Sequence, residues 1–411
     1  MFRHHTARSL IKSTMLVIAG GSGGFCLYEF LTGSERFHRE MFMPLVFRFF
    51  DAETAHRAAV SLARNRLLPM ARESDYPSLR CQVWNLTFDN PIGLAAGFDK
   101  NAEALKGLSG HSGFGMIEIG SVTPHPQNGN EPPRVFRLEE DEAVINRYGF
   151  NSHGHRTVLE RLKSYRAARS DSAKLCVIGL NLGKNRDTSS PLGDYTIGVM
   201  TFLPFVDYLV INISSPNTPG LRQQFQTKKE LERLLKDVNK ARDETPPGRE
   251  VPLLLKVSPD LSDEEKADIA SICTNKKAYG VDGLIVANTT VSRPPTLRSP
   301  RQKEEGGLSG RPLKELSTKC IRDFYRLTDG KVPIVGCGGV SNGEDAYDKI
   351  RAGASLVQLY TAVVYQGFPV VGRIKRELAS CLKRDGFASV DDAIGVDVKE
   401  VKKAGHSHER K

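Results

Sequence analysis

The chain has 411 residues, 39% of them hydrophobic, and a formal net charge of +10. That length and apolar content suit one large domain or two ordinary ones and exclude a disordered, collagenous or disulfide-scaffold protein. Arg3, Arg8 and Lys12 at one end and the basic run from Lys399 to Lys411 at the other hold most of the charge, so the roughly +4 left for the body gives no nucleic-acid surface.

The first 33 residues differ in kind from the rest. A basic, acid-free start leads into MLVIAGGSGGFCLYEFL, which reads as a targeting segment and a retained membrane anchor of mitochondrial type. Seventeen residues from Met15 to Leu31 give about 25 Å of helix, a thin single span. A cleaved secretory signal or transit peptide is the alternative. From 34 to 72 the spacing predicts two helices. Phe37, Met41, Leu45 and Phe49 recur every four residues, Asp51 is placed to cap the second helix, and Ala55, Ala59 and Leu62 continue an apolar face. Such a pair lies against a bilayer, lines a channel for a lipid-like ligand, or packs on the main domain; periodicity leaves these open.

Beyond residue 85 short apolar runs recur at 92–96, 116–120, 177–182, 208–213, 253–257, 283–287, 333–336 and 355–359, with helical stretches such as 228–241, 263–274, 313–327 and 343–352 between them. Unbroken apolar runs suit strands buried on both faces, and alternation with helices implies parallel pairing. Eight units predict an α/β fold of the (β/α)8 TIM-barrel type over residues 73–390, followed by a basic tail over 391–411. A doubly wound open sheet is the alternative, though it usually stops at about five to seven strands. The long gap from Thr123 to Leu175 must carry an insertion, and RVFRLEEDEAVINRYG within it predicts a small hairpin over the barrel mouth.

The strand ends read AAGFDKN, GSVT, NLGKN, NISSPNTPG, KVSPD, ANTT, GCGG and YTAV, collecting Gly, Ser, Asn, Lys and Thr where a barrel places its active site. Ordinary turn chemistry explains any one of them, but not eight in succession. GCGG and the helix opened by SNGEDAYDKI, with Tyr360 and Thr361 at the next strand end, predict a phosphate site. No acidic pair, no Ser/His/Asp order and no metal-ligand cluster of Cys or His competes for the chemistry, which points to a phosphate-bearing cofactor and no metal.

These segments, with EIGSVTP, INRYGFNSHG, NISSPNTPGLR, LLLKVSPD, NTTVSRP, GGLSG and VGCGGVSNGEDAYDKIRAGASLVQLYTA, resemble dihydroorotate dehydrogenase in its membrane-bound class 2 form, from about Ala55 to Gly372. The resemblance implies a barrel that holds FMN and oxidises dihydroorotate to orotate in pyrimidine biosynthesis, with ubiquinone as final acceptor at the mitochondrial inner membrane. By motif, FMN would be held by Ala96, Gly97, Ser121, Asn181, Lys256, Gly310, Gly339, Tyr360 and Thr361, and the substrate by Lys100, Asn146, Asn212, Asn217, Asn288 and Thr289. Lys256 would put positive charge where a reduced flavin gathers electrons; a strand-end salt bridge is its other reading. Ser215 matches the catalytic base, with Ser214 beside it, where the soluble class carries cysteine. The quinone passage would run between the helices of 34–72 to His56, Arg137 and Tyr360, with an ion pair on the barrel surface the plainer role for Arg137. Ala287, where Thr is expected, and Cys337 among the glycines depart from the pattern. A flavin-free barrel enzyme acting on a phosphorylated substrate and a tethered barrel without chemistry are the rival readings.

Overall fold

The computed structural model describes residues 7–69, 75–168, 176–218, 220–225 and 227–399. A two-stranded hairpin, β1 (Cys81–Val83) and β2 (Leu86–Phe88), turns through Trp84 and Asn85, both at positive φ (55° and 66°), the geometry of a type I′ turn. Eleven more strands follow: β3 (Ile92–Leu94), β4 (Met116–Val122), β5 (Val135–Leu138), β6 (Ala143–Asn146), β7 (Val177–Leu182), β8 (Tyr208–Asn212), β9 (Leu253–Val257), β10 (Gly283–Val286), β11 (Gly307–Gly310), β12 (Ile334–Cys337) and β13 (Leu356–Leu359). Of these β3, β4, β7, β8, β9, β10, β12 and β13 close a parallel barrel, each beside the next in sequence and β13 returning to β3. All their residues except Cys337 are buried, which is why they read as unbroken apolar runs. The open-sheet alternative is thereby removed.

Helices at Lys228–Asp243, Asp263–Thr274, Lys314–Leu327 and Gly343–Arg351 fall within two residues of their expected bounds. The β1–β2 hairpin plugs the N-terminal end of the barrel. Phe88 packs with Met116, Tyr208, Leu254, Ile285 and Leu356 inside it, and Trp84 donates to the Asp282 carbonyl at 2.8 Å. Access is therefore left at the C-terminal strand ends. The hairpin expected in the long insertion is β5–β6, but β11 adds a third, antiparallel strand against β6. The glycine-rich GLSG segment gave no strand signal, because only pairing with β6 extends it.

At the N-terminus one helix runs from Ala7 to Leu31, and none of its stretch Thr14–Leu31 is buried. Its 25 residues correspond to about 37 Å, longer than the span read from hydropathy. The first helix of the expected pair is Glu35–Phe37, a π turn at His38–Phe42 and Met43–Phe49; the second is Ala52–Arg64, capped as expected by Asp51, which accepts from the Glu53 and Thr54 amides at 3.0 and 2.9 Å. The stripe at spacing four does not face the barrel. Met41, Leu45 and Phe49 are 50%, 53% and 70% exposed, while Phe42, Val46 and Phe47 turn inward. The pair meets the barrel through Arg134–Glu53 (2.7 Å), Arg376–Glu35 (3.0 Å) and close contact between Ala63 and Gly107. The basic tail expected from residue 391 starts later: Ala393 and Val398 are buried, and Arg351 pairs with Asp397 at 2.6 Å. Residues 400–411 and the boundary at 72 lie outside the described residues.

Because a Cβ on Gly107 would sit 1.8 Å from the Ala63 carbonyl oxygen, Gly107→Ala must push the Ala52–Arg64 helix off the barrel. We expect a cost of about 1–3 kcal/mol. Hydrogen exchange should show faster opening of residues 52–64 and unchanged protection in the barrel strands.

Candidate active site

The strand ends bring together a buried polar network around Glu118, which β4 directs into the barrel with no exposure. Lys256 on β9 meets its carboxylate at 3.2 Å, the Asn181 amide on β7 donates at 2.8 Å, and Gln358 on β13 donates at 2.6 Å. Asn181 in turn accepts from the Ser121 hydroxyl and from the Asn212 amide, the latter at 3.1 Å. A buried carboxylate is tolerated only when paired and hydrogen-bonded in this way. Lys256 thus forms the ion pair that was its plainer reading, and it also lines the cavity above. Glu118 and Gln358 were missed; their only sequence signal is a polar residue inside an apolar run.

One cavity at the barrel mouth is lined by Ala96, Gly97, Lys100, Ser121, Asn146, Asn212, Ser215, Asn217, Lys256, Asn288, Thr289, Gly310, Gly339, Tyr360 and Thr361. His56 and Arg137 stand at its edge. Asn181 alone of the expected residues does not line it and lies one layer deeper, behind Ser121. The amides hold one another in place. Asn288 donates to Ser214 Oγ at 2.9 Å, Ser214 Oγ donates to Asn212 Oδ1 at 3.1 Å, and Asn217 donates to Asn146 Oδ1 at 3.2 Å. The Ser215 hydroxyl accepts from the Asn217 backbone N–H at 3.3 Å. Arg222 ties three strand ends together, donating to the Ser214 carbonyl at 2.9 Å, the Thr289 carbonyl at 3.2 Å and Asp260 at 3.0 Å. Such an array offers a planar ligand alternating donors and acceptors from fixed positions. Ala287 is buried beside it and lines the cavity, as Cys337 does from β12.

The anion end of the cavity differs from expectation in one respect. The amides at the start of the Gly343–Arg351 helix are already taken: Ser341 and Gly343 donate to Asp345 and Glu377 at 2.9 and 2.7 Å, and Asp345 donates to Asn342 at 2.8 Å. The corner of the cavity where the sequence predicts a phosphate is instead walled by Gly338, Gly339, Gly310 and Thr361, the last opening the Thr361–Gln366 helix. Gly339 and Gly310 have positive φ (74° and 95°), and a Cβ on either would come within 2.4 Å of neighbouring backbone.

On the opposite side an almost wholly apolar cavity runs between the N-terminal helices, lined by Phe42, Val46, Phe47, Leu62, Phe98 and Phe368 among others. It shares His56, Arg137 and Tyr360 with the polar cavity, so these three stand at the junction. His56 Nε2 lies 2.8 Å from the Phe98 carbonyl and must donate to it, which leaves Nδ1, 3.3 Å from Tyr148 Oη, as the acceptor. Burial pulls its pKa down to about 4, so the ring is neutral. Arg137 is 8% exposed and donates to the carbonyls of Phe47 and Phe50; Glu139 lies 3.9 Å away. Those carbonyls offset the cost of a guanidinium beside apolar helices, which hydropathy could not foresee.

A parallel barrel with convergent amides, two lysines and glycine walls around a cavity at its C-terminal mouth has the architecture of an α/β-barrel enzyme. The chain belongs to the dihydroorotate dehydrogenase family, whose description matches residues 78–382. It is 50% identical to the Mus musculus protein named dihydroorotate dehydrogenase (quinone), mitochondrial, over 93% of this chain and 96% of that one. It is also 50% identical to the dihydroorotate dehydrogenase (quinone) of Xanthobacter autotrophicus over 86% of this chain and 98% of that one. Among solved structures it is similar to Eimeria tenella DHODH in complex with ferulenol, with a TM-score of 0.80 and 45% identity over 85% of this chain and 96% of that one. The relatives named for quinone place it in the class 2 branch.

Lys100 Nζ sits 4.3 Å above the Tyr148 ring, and burial, with Arg134 adding to it, draws its pKa from 10.5 to about 8. An anion bound to it needs the protonated form. Affinity for orotate, the carboxylate implied by the family, should be constant below about pH 7 and fall by about tenfold per pH unit above 8. In Lys100→Met, titration calorimetry should give weak and pH-independent binding; a wild-type profile flat to high pH removes Lys100 from the anion site.

Proposed function

We propose that this protein oxidises dihydroorotate to orotate in pyrimidine biosynthesis, with FMN in the polar cavity and ubiquinone reaching it through the apolar one. The observation that carries the reading is the junction itself: a polar cavity for an anion and a greasy passage for a lipid-soluble acceptor meet at His56, Arg137 and Tyr360, with the small apolar Ala52 and Val364 completing the shared wall. The donor set fits FMN. The glycine walls at Gly338, Gly339 and Gly310 with Tyr360 and Thr361 suit its phosphate, while Ala96, Gly97, Ser121 and Lys256 are available to the ring and Asn181 supports Ser121 from behind. Bound FMN would supply acceptance of a hydride from the substrate and return of the electrons to a quinone.

In this reading Lys100 meets the substrate carboxylate, and Asn146, Asn212, Asn217, Asn288 and Thr289 orient its ring. Ser215 takes the proton from the carbon next to the one that loses hydride. The Asn217 backbone N–H donating to Ser215 Oγ favours negative charge on that oxygen, and burial keeps bulk water from competing. Residues 1–33 form the anchor in the mitochondrial inner membrane, 34–72 the quinone-access helices, and the exposed Met41, Leu45 and Phe49 rest against the lipid.

The purified protein should be yellow and bleach when dihydroorotate is added without oxygen; a colourless protein that cannot be loaded with FMN ends the proposal. Ser215→Ala should stay yellow, while stopped-flow bleaching slows on the order of 10²–10⁴-fold. Near-normal bleaching moves the base to Ser214.

The passage makes a separate demand. Without residues 1–33 the protein should be soluble, yellow and still reduce a dye through quinone. Without residues 1–72 it should bleach with dihydroorotate but turn over a long-tailed quinone far more slowly. Full quinone turnover by the shorter protein, folded and flavin-bound, would reduce the helix pair to packing.

A further inference from the structure

Lys349 is wholly buried, at 0% exposure, and has no part in the chemistry above. Two other buried lysines meet carboxylates: Lys256 meets Glu118, and Lys266 meets Asp263 and Asp323. Lys349 meets none among the described residues. It reaches from the Gly343–Arg351 helix to the Lys314–Leu327 helix, where Nζ donates to Ser317 Oγ at 2.7 Å and Thr318 Oγ1 at 3.0 Å. The nearby carboxylates Asp345 and Asp348 are engaged by Lys314, at 2.7 and 2.8 Å. Burial draws the Lys349 pKa down to about 8, which leaves it mostly protonated at neutral pH. A charge kept in the interior with only two hydroxyls for company is costly and calls for a compensating group.

The hydroxyl it holds leads to the anion end of the cavity. An ammonium only donates, so Ser317 Oγ accepts from Lys349 and donates onward; of the two carbonyls in reach, Gly338 at 2.8 Å is closer than Lys314 of its own helix at 3.1 Å. In a planar trans peptide the carbonyl and the following N–H point in opposite directions. Fixing the Gly338 carbonyl toward Ser317 therefore turns the Gly339 N–H away from it, and Gly339 walls the cavity. Both glycines have positive φ (113° and 74°), so the segment has no side chain of its own to fix its orientation. We propose that Lys349 is a positioning residue for a phosphate: through Ser317 it holds the Gly338–Gly339 peptide with its N–H toward the phosphate, and the phosphate's charge answers its own. The proposal rests on FMN occupying the cavity.

The test compares two flavins that differ only in the phosphate. Full-length protein is loaded with FMN or with riboflavin, and release on dilution is followed by flavin fluorescence. Wild type should retain FMN much more tightly than riboflavin. Lys349→Met should weaken FMN on the order of tenfold or more and leave riboflavin unchanged; Ser317→Ala, which keeps the charge but breaks the relay, should show a smaller loss, again for FMN alone. Equal losses for both flavins, or no loss, overturn the proposal and leave Lys349 a packing residue. If Lys349→Met does not fold, the Ser317→Ala comparison decides alone. A wild type that does not distinguish the two flavins refutes the phosphate site, a different failure.

Discussion

Glu118 sets the terms for everything above it. A carboxylate inside a closed barrel has no water to turn to, so its partners must come from other strands and arrive with good geometry. Lys256 from β9, Asn181 from β7 and Gln358 from β13 do so, and this pins three strand ends to β4 at one level. Replacing Lys256 alone would leave the buried carboxylate uncompensated, a loss of about 3–5 kcal/mol. The Asn181 carbonyl is then committed to Ser121 and Asn212, and Asn212 to Ser214 and Asn288. Cavity-lining side chains are thus held at the far end of a network rooted in the core, which keeps them oriented before any ligand arrives.

The two cavities illustrate how one fold separates incompatible solvents. The polar one is bounded by strand ends, where backbone and amide groups already satisfy each other; the apolar one is bounded by helices that present Phe42, Val46 and Phe47 inward and Met41, Leu45 and Phe49 outward. Few groups are at ease in both. His56 is one, because burial keeps it neutral while both ring nitrogens are hydrogen-bonded. Arg137 is another, its charge spread onto two helix-end carbonyls.

The glycine segment at the anion end carries a related lesson. Backbone that must approach an anion closely cannot use side chains to hold itself, so its orientation is imposed from behind. Here the N-terminus of the Gly343–Arg351 helix is not the device, since its Gly343 and Asp345 amides serve Glu377 and Asn342, whereas the Thr361–Gln366 helix opens on the cavity through Tyr360 and Thr361. Ser317 and Lys349, on neighbouring helices, stand where the glycines need support.

The sequence by itself determined the barrel, because strands buried on both faces must be short, apolar and unbroken, and the closing circuit allows no other use for eight of them. It also marked the mouth, since Lys100, Asn212, Ser215, Asn288 and Thr361 sit at strand ends where polar residues have no structural need to be. Tertiary structure alone decided the rest. Glu118 and Gln358 look like interruptions of an apolar run until their partners, far away in the chain, are brought to them. GLSG becomes a strand only beside β6. The periodic stripe at Met41, Leu45 and Phe49 gives the existence of an amphipathic helix but not the direction it faces, because a helix between a barrel and a bilayer has two apolar surroundings to choose from. Whether Lys256 serves as ion pair or cavity wall could not be read from its position on a strand, since one ammonium with three donors does both once Glu118 lies beneath it.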